Sequence, residues 1–152
     1  MIENQKQYYP PMHTAEHILN QTMDRLFSCG RSFSSHIERK KSKCDYKIGR
    51  PLSDDEIKGI ENKVNEIISG NYDVTEEFIS KEEAATKFNL SKLPDDSGEL
   101  LRIVKVGEYD ACPCSGWHVK NTSEIGRFII SSATFENGIL RVRFKLMESR
   151  NS

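Results

Sequence analysis

The sequence lacks a net positive charge, a long apolar run and a charged-then-apolar amino terminus. Its 152 residues include 22 Lys and Arg against 23 Asp and Glu, which gives a formal net charge of −1 at pH 7. This balance disfavours a chain that binds nucleic acid through a surface that is basic all over. Hydrophobic residues make up 36% and aromatic residues 9%, which supports one folded core of modest size and excludes a largely disordered chain.

Two kinds of segment that the sequence lacks bear on the cellular compartment of the protein. No stretch approaches the ~18 consecutive apolar residues that a membrane span requires, and the first residues do not form a secretory signal. The cysteines, which could in principle form two disulfides, are Cys29, Cys44, Cys112 and Cys114. A chain of this length without an export signal more often keeps its thiols reduced. We therefore expect a cytoplasmic protein without a membrane partner, whose cysteines are buried or bind metal.

Helical patterns occur in three places. Apolar residues at helical spacing predict a helix over 12–27, with Leu26 on its apolar face. Ser53 and Glu56 form a capping box that begins a second helix, which ends at Gly70. A second capping box, Ser80 with Glu83, predicts a short helix that runs through Phe88, followed by a loop over 89–98.

Strand patterns lie between and after these helices. They cover 32–38, 43–48, 74–79, 100–106, 127–132 and 139–146. In the last of these, Leu140, Val142 and Phe144 alternate with basic residues, as in a half-solvated antiparallel strand. This irregular mixture predicts an α+β fold in which an antiparallel sheet packs with a few helices, within a single domain over 1–152.

Two pairs of residues could bind a metal ion. His13 and His17 are four positions apart on a predicted helix, so they project from one face. Cys114 and His118 are also four apart, in a segment that its Pro and Gly predict to be a turn. Thiolate and imidazole are good zinc ligands, so the two pairs could complete one tetrahedral site. Cys112 offers a competing sulfur, or is a buried thiol beside the site.

The same residues carry a resemblance to a known family. Residues 13–19 read HTAEHIL, which resembles the HTAxHLL motif of alanyl-tRNA synthetase editing domains. Residues 114–126 read CSGWHVKNTSEIG, which resembles their CGGTHVxNTGEIG motif, and the preceding Asp-Ala-Cys also matches. The chain is similar over nearly its whole length to the freestanding short alanyl-tRNA editing proteins. The threonyl-tRNA synthetase editing domain is a more distant relative.

The resemblance implies a zinc-dependent hydrolase that acts in trans on mischarged tRNA and removes Ser or Gly from alanine tRNA. It places four residues on the family's metal positions, which are His13, His17, Cys114 and His118. His36 matches a segment that lines the pocket in relatives, and Glu38 is either part of that segment or a solvated strand residue. We expect Glu16 or His36 to assist a zinc-held water or substrate group.

The sequence also departs from the family pattern. Ser115 and Trp117 replace the usual Gly and Thr, and Ser123 replaces a Gly. Trp117 could reshape the amino-acid pocket, or it could point into the core. These changes leave the metal argument intact and leave the identity of the amino acid and of the tRNA open.

An RNA partner requires local basic surface, because the overall charge offers none. One group follows a predicted hairpin and comprises Arg39, Lys40, Lys41, Lys43, Lys47 and Arg50. A second group alternates along the last strand and comprises Arg141, Arg143 and Lys145. If both groups line the mouth of the metal site, they could hold the phosphates of the acceptor end; otherwise they are ordinary solvated surface.

Two other functions remain open from the sequence. Four protein ligands would close a zinc site, which is the arrangement of structural zinc. The chain could then be a non-enzymatic tRNA-binding module. It could also be a metal-dependent hydrolase of another small ester or amide, adapted through Trp117.

Overall fold

The computed structural model describes residues 9–87 and 100–147. The helices are α1 (Pro10–Phe27), α2 (Asp54–Ser69), α3 (Lys81–Lys87) and a 3₁₀ turn (Thr122–Glu124). The strands are β1 (Ser34–Ile37), β2 (Ser42–Lys47), β3 (Val74–Ser80), β4 (Leu100–Val106), β5 (Asp110–Pro113), β6 (Arg127–Glu136) and β7 (Ile139–Met147). The predicted α+β class is therefore confirmed.

The predicted capping box of α2 is present. The Glu56 amide donates to Ser53 Oγ at 3.1 Å, and the Ser53 amide donates back to Glu56 Oε1 at 2.9 Å. Both bonds satisfy amides that have no partner within the helix. The apolar stripe of α2 then buries Ile60 and Val64 in the core.

A four-stranded antiparallel sheet in the order β1-β2-β7-β6 forms the base of the fold. Its inner face packs with α1 and α2 and buries Tyr46, Phe128, Leu140, Val142 and Phe144. The predicted alternation of β7 is confirmed, because its basic residues face the opposite side. The β6–β7 hairpin closes through Asn137 and Gly138, both at positive φ (56° and 80°), as a two-residue turn requires.

The edge of this sheet formed by β6 contacts α2. The Asn65 side chain donates to the Phe128 carbonyl and accepts from the Phe128 amide, both at 2.8 Å. Glu61 accepts from the Ile130 amide at 2.9 Å, next to an irregularity in the β6–β7 pairing. These side chains satisfy edge groups that would otherwise be available to another strand.

A second, three-stranded antiparallel sheet has the order β3-β4-β5. The prediction of one sheet is therefore incomplete, and the predicted turn begins later than expected. Cys112 and Pro113 belong to β5, where Val104 pairs with Cys112 and Ile103 with Pro113. Pro113 is tolerated because β5 is an edge strand and ends at this residue.

The other elements agree with the predictions within a few residues. Leu26 differs, because its side chain is 51% exposed at the end of α1. The Glu83 amide donates to Ser80 Oγ at 3.1 Å, so Ser80 caps α3 as predicted. Phe88 and the predicted loop over 89–98 lie outside the described residues. No helix within the described ranges is long and apolar enough to cross a membrane.

Candidate metal centre

Helix α1 supplies two of the predicted ligands. Pro10 and Pro11 occupy its first turn, where their missing amides cost nothing. His13 and His17 then follow one turn apart on the face that meets the second motif. His17 is buried, whereas His13 is partly exposed.

The loop after β5 supplies the other two ligands. The Cys114 amide donates to the Arg102 carbonyl at 3.1 Å, which continues the pairing of β4 with β5. The Arg102 guanidinium donates to the carbonyls of Cys114 and Gly116 at 2.9 and 2.8 Å. A Cβ on Gly116 would lie 2.0 Å from His13 Cε1, so glycine at this position lets the loop pack directly against the His13 ring.

The ligand group, defined as His13, His17, Cys114 and His118, converges as predicted. One ligand atom from each residue lies within 4.8 Å of all the others. Cys114 Sγ is 3.4 Å from His118 Nε2 and 3.7 Å from His13 Nε2. A tetrahedral zinc with nitrogen and sulfur ligands separates neighbouring ligand atoms by about 3.5 Å. The spacing around the sulfur therefore fits such a site.

Two of the three imidazoles form a hydrogen bond through Nδ1, the ring nitrogen that does not face Cys114. His13 Nδ1 lies 3.2 Å from the Trp117 carbonyl, which can only accept, so Nδ1 carries the proton. His118 Nδ1 forms a hydrogen bond of 2.9 Å with Thr14 Oγ1, and this hydroxyl accepts from the Val119 amide at 3.2 Å. In both rings Nε2 is the nitrogen that faces Cys114 Sγ. Partners of this kind orient the imidazoles in metal sites.

His17 faces a carboxylate. Its Nδ1 lies 3.5 Å from Asp110 Oδ2, which is ion-pair distance but long for a hydrogen bond. Among the described residues, this Nδ1 is the buried side-chain nitrogen or oxygen without a hydrogen-bond partner. Asp110 is itself fixed by Arg31 at 2.8 and 3.3 Å and by Gln21 at 2.8 Å.

The charges in the group favour a thiolate. Burial opposes ionisation of Cys114, but hydrogen bonds from His118, His13 and His17 lower its pKa to about 3. Burial likewise opposes the charged form of His17, yet Asp110 and Cys114 raise its pKa to about 9. Burial lowers the pKa of His118 to about 4, so this ring is neutral at pH 7. A thiolate beside imidazoles suits a divalent cation, which would displace the proton from His17.

Cys112 is not part of the ligand group. Burial raises the pKa of its thiol to about 11, although the nearby Arg31 charge acts in the opposite direction. Its Sγ donates to the Pro113 carbonyl at 3.5 Å. Cys112 therefore remains a neutral thiol beside the group.

A cleft of about 630 Å³ opens from the ligand group toward α1 and β1. We call it the serine cleft, and its lining includes His13, Glu16, His17, Asn20, Arg31, Ser32, Ser35, Cys112, Pro113 and Cys114. Glu16 Oε1 is 3.6 Å from His13 Nε2, while Oε2 accepts from Ser35 Oγ at 2.8 Å. Ser35 Oγ is also 2.8 Å from Ser32 Oγ. The predicted residue Glu16 is thus placed beside the ligand group.

The structure does not bring His36 into this cleft. Neighbouring residues of a strand point to opposite faces, and it is Ser35 that faces α1. His36 pairs across the sheet with Lys43 and contacts the Glu38 carboxylate. Both line a separate pocket of about 300 Å³ with Lys43 and Arg143.

A second cleft, of about 660 Å³, lies on the other side of Cys114. We call it the tryptophan cleft, and its lining includes Phe78, Leu100, Arg102, Pro113, Cys114, Trp117, His118 and Lys120. The Trp117 side chain is 61% exposed. The interpretation of Trp117 as a core residue is therefore wrong.

Two arginines of the predicted basic surface are paired with carboxylates. Arg50 forms two bonds with Glu56 at 2.7 and 2.8 Å, and Arg141 forms two with Asp45 at 2.8 and 2.9 Å. Arg39, Lys40 and Lys41 are exposed. They follow β1.

The basic turn formed by these three residues contacts the residue that precedes α1. The Arg39 guanidinium lies 4.9 Å from the centre of the Tyr9 ring, immediately before α1. The turn is thus near the end of α1 that carries His13.

Sequence reasoning gave no role to several residues that shape the site. Thr14 and Asp110 fall within the matched motifs, yet nothing in their spacing indicates that they hold His118 and His17. Arg31 and Ser35 stand outside both motifs. A general rule points to both residues. The buried Asp110 carboxylate needs a nearby cation, which Arg31 supplies, and the Glu16 carboxylate in the cleft needs a hydrogen-bond donor, which Ser35 supplies.

These features define the class of the protein. It is an α+β protein with a group of three histidines and one cysteine, each histidine backed by a polar atom, at the wall between two clefts. The donor set is one that binds divalent zinc in many proteins.

Comparison with known proteins identifies a family to which part of the chain is similar. Residues 101–150 match the family model described as the Threonyl and Alanyl tRNA synthetase second additional domain. The resemblance drawn from the two motifs is confirmed: the chain is a relative of this synthetase domain.

Curated relatives agree with this match. The chain is 36% identical over 132 residues to an alanine–tRNA ligase of Fervidobacterium nodosum, covering 86% of the chain and 15% of the relative. It is 33% identical over 148 residues to that of Ligilactobacillus salivarius, covering 91% and 17%. With the ligase of Aeropyrum pernix the identity is 34% over 140 residues, covering 87% and 15%. The chain thus spans only about 15–17% of the length of these relatives.

Proposed function

We propose that residues 1–152 act as one aminoacyl-tRNA editing domain, which binds zinc and hydrolyses the ester of mischarged tRNA in trans. The substrate is Ser- or Gly-tRNA(Ala), and the compartment is the cytoplasm. The observation that carries the proposal is the convergence of the ligand group, with its thiolate and oriented imidazoles, at the wall of an open cleft. The name of these relatives, alanine–tRNA ligase, favours alanine tRNA over threonine tRNA.

The ligand group would hold the zinc, which can polarise an ester carbonyl or lower the pKa of a bound water. The protein's own residues position the reaction. Glu16 is fixed by Ser35 through one oxygen, and its other oxygen faces the ligand group, where it can accept a proton from the attacking water. His36 lies outside this cleft, so Glu16 is the stronger of the two candidates for the proton-accepting role.

The serine cleft suits a small polar amino acid. Its wall between α1 and β1 carries the hydroxyls of Ser32 and Ser35 beside the Asn20 side chain. Asn20 Oδ1 already accepts from Tyr46 and from the Ser32 amide, at 2.7 and 3.1 Å. This fixed network presents hydroxyls that can bond the side chain of an attached serine.

The basic turn formed by Arg39, Lys40 and Lys41 would hold phosphates of the acceptor end. It is exposed and lies near the end of α1 that bears His13. Phosphate contacts weaken with salt because counterions are released on binding. We expect replacement of all three residues by alanine to weaken tRNA binding and to flatten its salt dependence.

The decisive experiment compares two neighbouring thiols. Cys114→Ala should remove most bound zinc and slow deacylation of Ser-tRNA(Ala) by at least about 100-fold, because a metal ligand is lost. Cys112→Ser should keep the zinc, since Cys112 lies outside the ligand group, and should therefore retain far more activity than Cys114→Ala. Zinc content and deacylation of Ser-, Gly- and correctly charged Ala-tRNA(Ala) are measured on the same samples.

The outcomes separate the proposal from a second candidate. The four protein ligands also suit a structural zinc. A non-enzymatic tRNA-binding module would bind zinc and tRNA, yet the wild-type protein would not accelerate deacylation. Full activity in metal-depleted protein would contradict the zinc-dependent mechanism. Hydrolysis of simple aminoacyl esters as fast as of charged tRNA would indicate a hydrolase of other small esters.

A further inference from the structure

The tryptophan cleft has a composition unlike that of the serine cleft. Trp117 and Phe78, each 61% exposed, line it together with Leu100, which is 56% exposed. Three large apolar side chains exposed at one cleft indicate a binding surface, whereas single exposed apolar residues are common on any protein. The backbone under Trp117 is fixed, because its carbonyl accepts from His13 and the adjacent Gly116 carbonyl accepts from Arg102.

The two clefts meet at the ligand group. Pro113 and Cys114 line both of them, whereas His118 lines only the tryptophan cleft. A substrate whose reacting bond lies at Cys114 can therefore extend one branch into each cleft. In an aminoacyl-tRNA the ester has one small polar branch, the amino acid, and one large flat branch, the terminal nucleoside.

We propose that the tryptophan cleft binds the unpaired 3′-terminal nucleoside of the tRNA, with its base stacked on Trp117. Phe78 supplies further aromatic surface at the same cleft, and the exposed Lys120 supplies a positive charge for the adjoining phosphate. Aromatic side chains bind single-stranded bases by stacking, whatever the base. The assignment rests on the proposed function, because it takes the substrate to be a charged tRNA.

The chain contains a single tryptophan, so its fluorescence reports on this cleft alone. Uncharged tRNA(Ala) should quench the emission, because a stacked base contacts the indole directly. The same tRNA without its 3′-terminal nucleotide should bind with little quenching. Equal quenching by the two RNAs, or none by either, would overturn the assignment.

Substitutions test the energetic contribution. Trp117→Ala should weaken binding of uncharged tRNA about tenfold or more, and Trp117→Phe should retain most of the affinity, as expected for stacking. Neither should alter binding of the truncated tRNA. Leu26→Ala is the matched control, because Leu26 is also exposed and apolar but lies outside both clefts. An unchanged affinity of Trp117→Ala, with normal folding by circular dichroism, would contradict the proposal.

Failure of this inference is distinguishable from failure of the proposed function. If quenching depends on the 3′ nucleotide but no charged tRNA is deacylated, the hydrolase proposal fails and the stacking site stands. If deacylation proceeds at an unchanged rate and KM in Trp117→Ala, the stacking site fails and the hydrolase stands.

Discussion

The two sheets of this protein differ in what covers them. The four-stranded sheet buries its inner face beneath α1 and α2, and its outer face carries charged side chains. The three-stranded sheet leaves Phe78 and Leu100 exposed and ends in the edge strand β5, from which the ligand-bearing loop departs. The first sheet therefore buries the largest aromatic side chains, whereas the second buries apolar side chains of β4 and leaves others exposed beside the site.

The ligand group lies where these two regions meet. Helix α1, which packs with the core of the four-stranded sheet, supplies His13 and His17. The loop after β5 supplies Cys114 and His118. Neither region alone holds enough ligands for a tetrahedral metal, so the site depends on their relative placement.

The largest expected difference between the sheets is in stability. Phe144→Ala should lower the free energy of unfolding by about 3–5 kcal/mol, because Phe144 is fully buried against Phe128 and its removal leaves a cavity. Phe78→Ala, the matched change on the three-stranded sheet, should cost less than about 0.5 kcal/mol. Urea denaturation measures both, and similar losses would contradict this difference between the sheets.

Two arginine-paired aspartates sharpen the same comparison. Asp110→Asn should weaken metal binding by about 10–100-fold, because His17 loses the carboxylate behind it. Asp45→Asn removes the partner of Arg141 on the outer face of the four-stranded sheet and should leave metal affinity unchanged. Competition with a chromogenic chelator gives both affinities. Equal losses would show that the effect on metal binding is not specific to the site.

The smallest expected difference concerns helix caps. Ser53→Ala should destabilise the protein by about 1 kcal/mol, because Ser53 caps the long helix that covers the core. Ser80→Ala should cost less, since Ser80 caps a helix of 7 residues that buries only Ala84. Thermal denaturation of the two variants under one buffer measures the difference. A larger loss for Ser80→Ala would place more of the fold's stability near the three-stranded sheet.

Local patterns in the sequence predicted the fold where the physical signal is local. The Ser53–Glu56 capping box and the alternation along β7 each involve residues close in the chain, so both appear in the structure as predicted. β5 was missed because it has four residues, ends in proline and lacks alternation. The pairing of β5 with β4, and hence the division of the strands into two sheets, depends on tertiary contacts.

Prediction of the site from the sequence has the same limit. The four ligands follow from spacing and resemblance, and the structure brings them together. The choice between Ser35 and His36 depends on which face of β1 meets α1, and a shift of one residue reverses it. The sequence does not determine that register without the partner strands. The sequence also does not determine whether Trp117 is exposed or buried, because this depends on which elements surround the loop.

The ligand group joins parts of the chain that are synthesised at different times. His13 and Cys114 are 101 positions apart, and Thr14 and His118 are 104 apart. At about 5–20 residues per second, a ribosome completes α1 roughly 5–20 s before the second pair of ligands exists. During that interval α1 carries two histidines without their thiolate. Binding of a metal ion by all four ligands would consequently come late in synthesis, after Cys114 and His118 have been added to the chain.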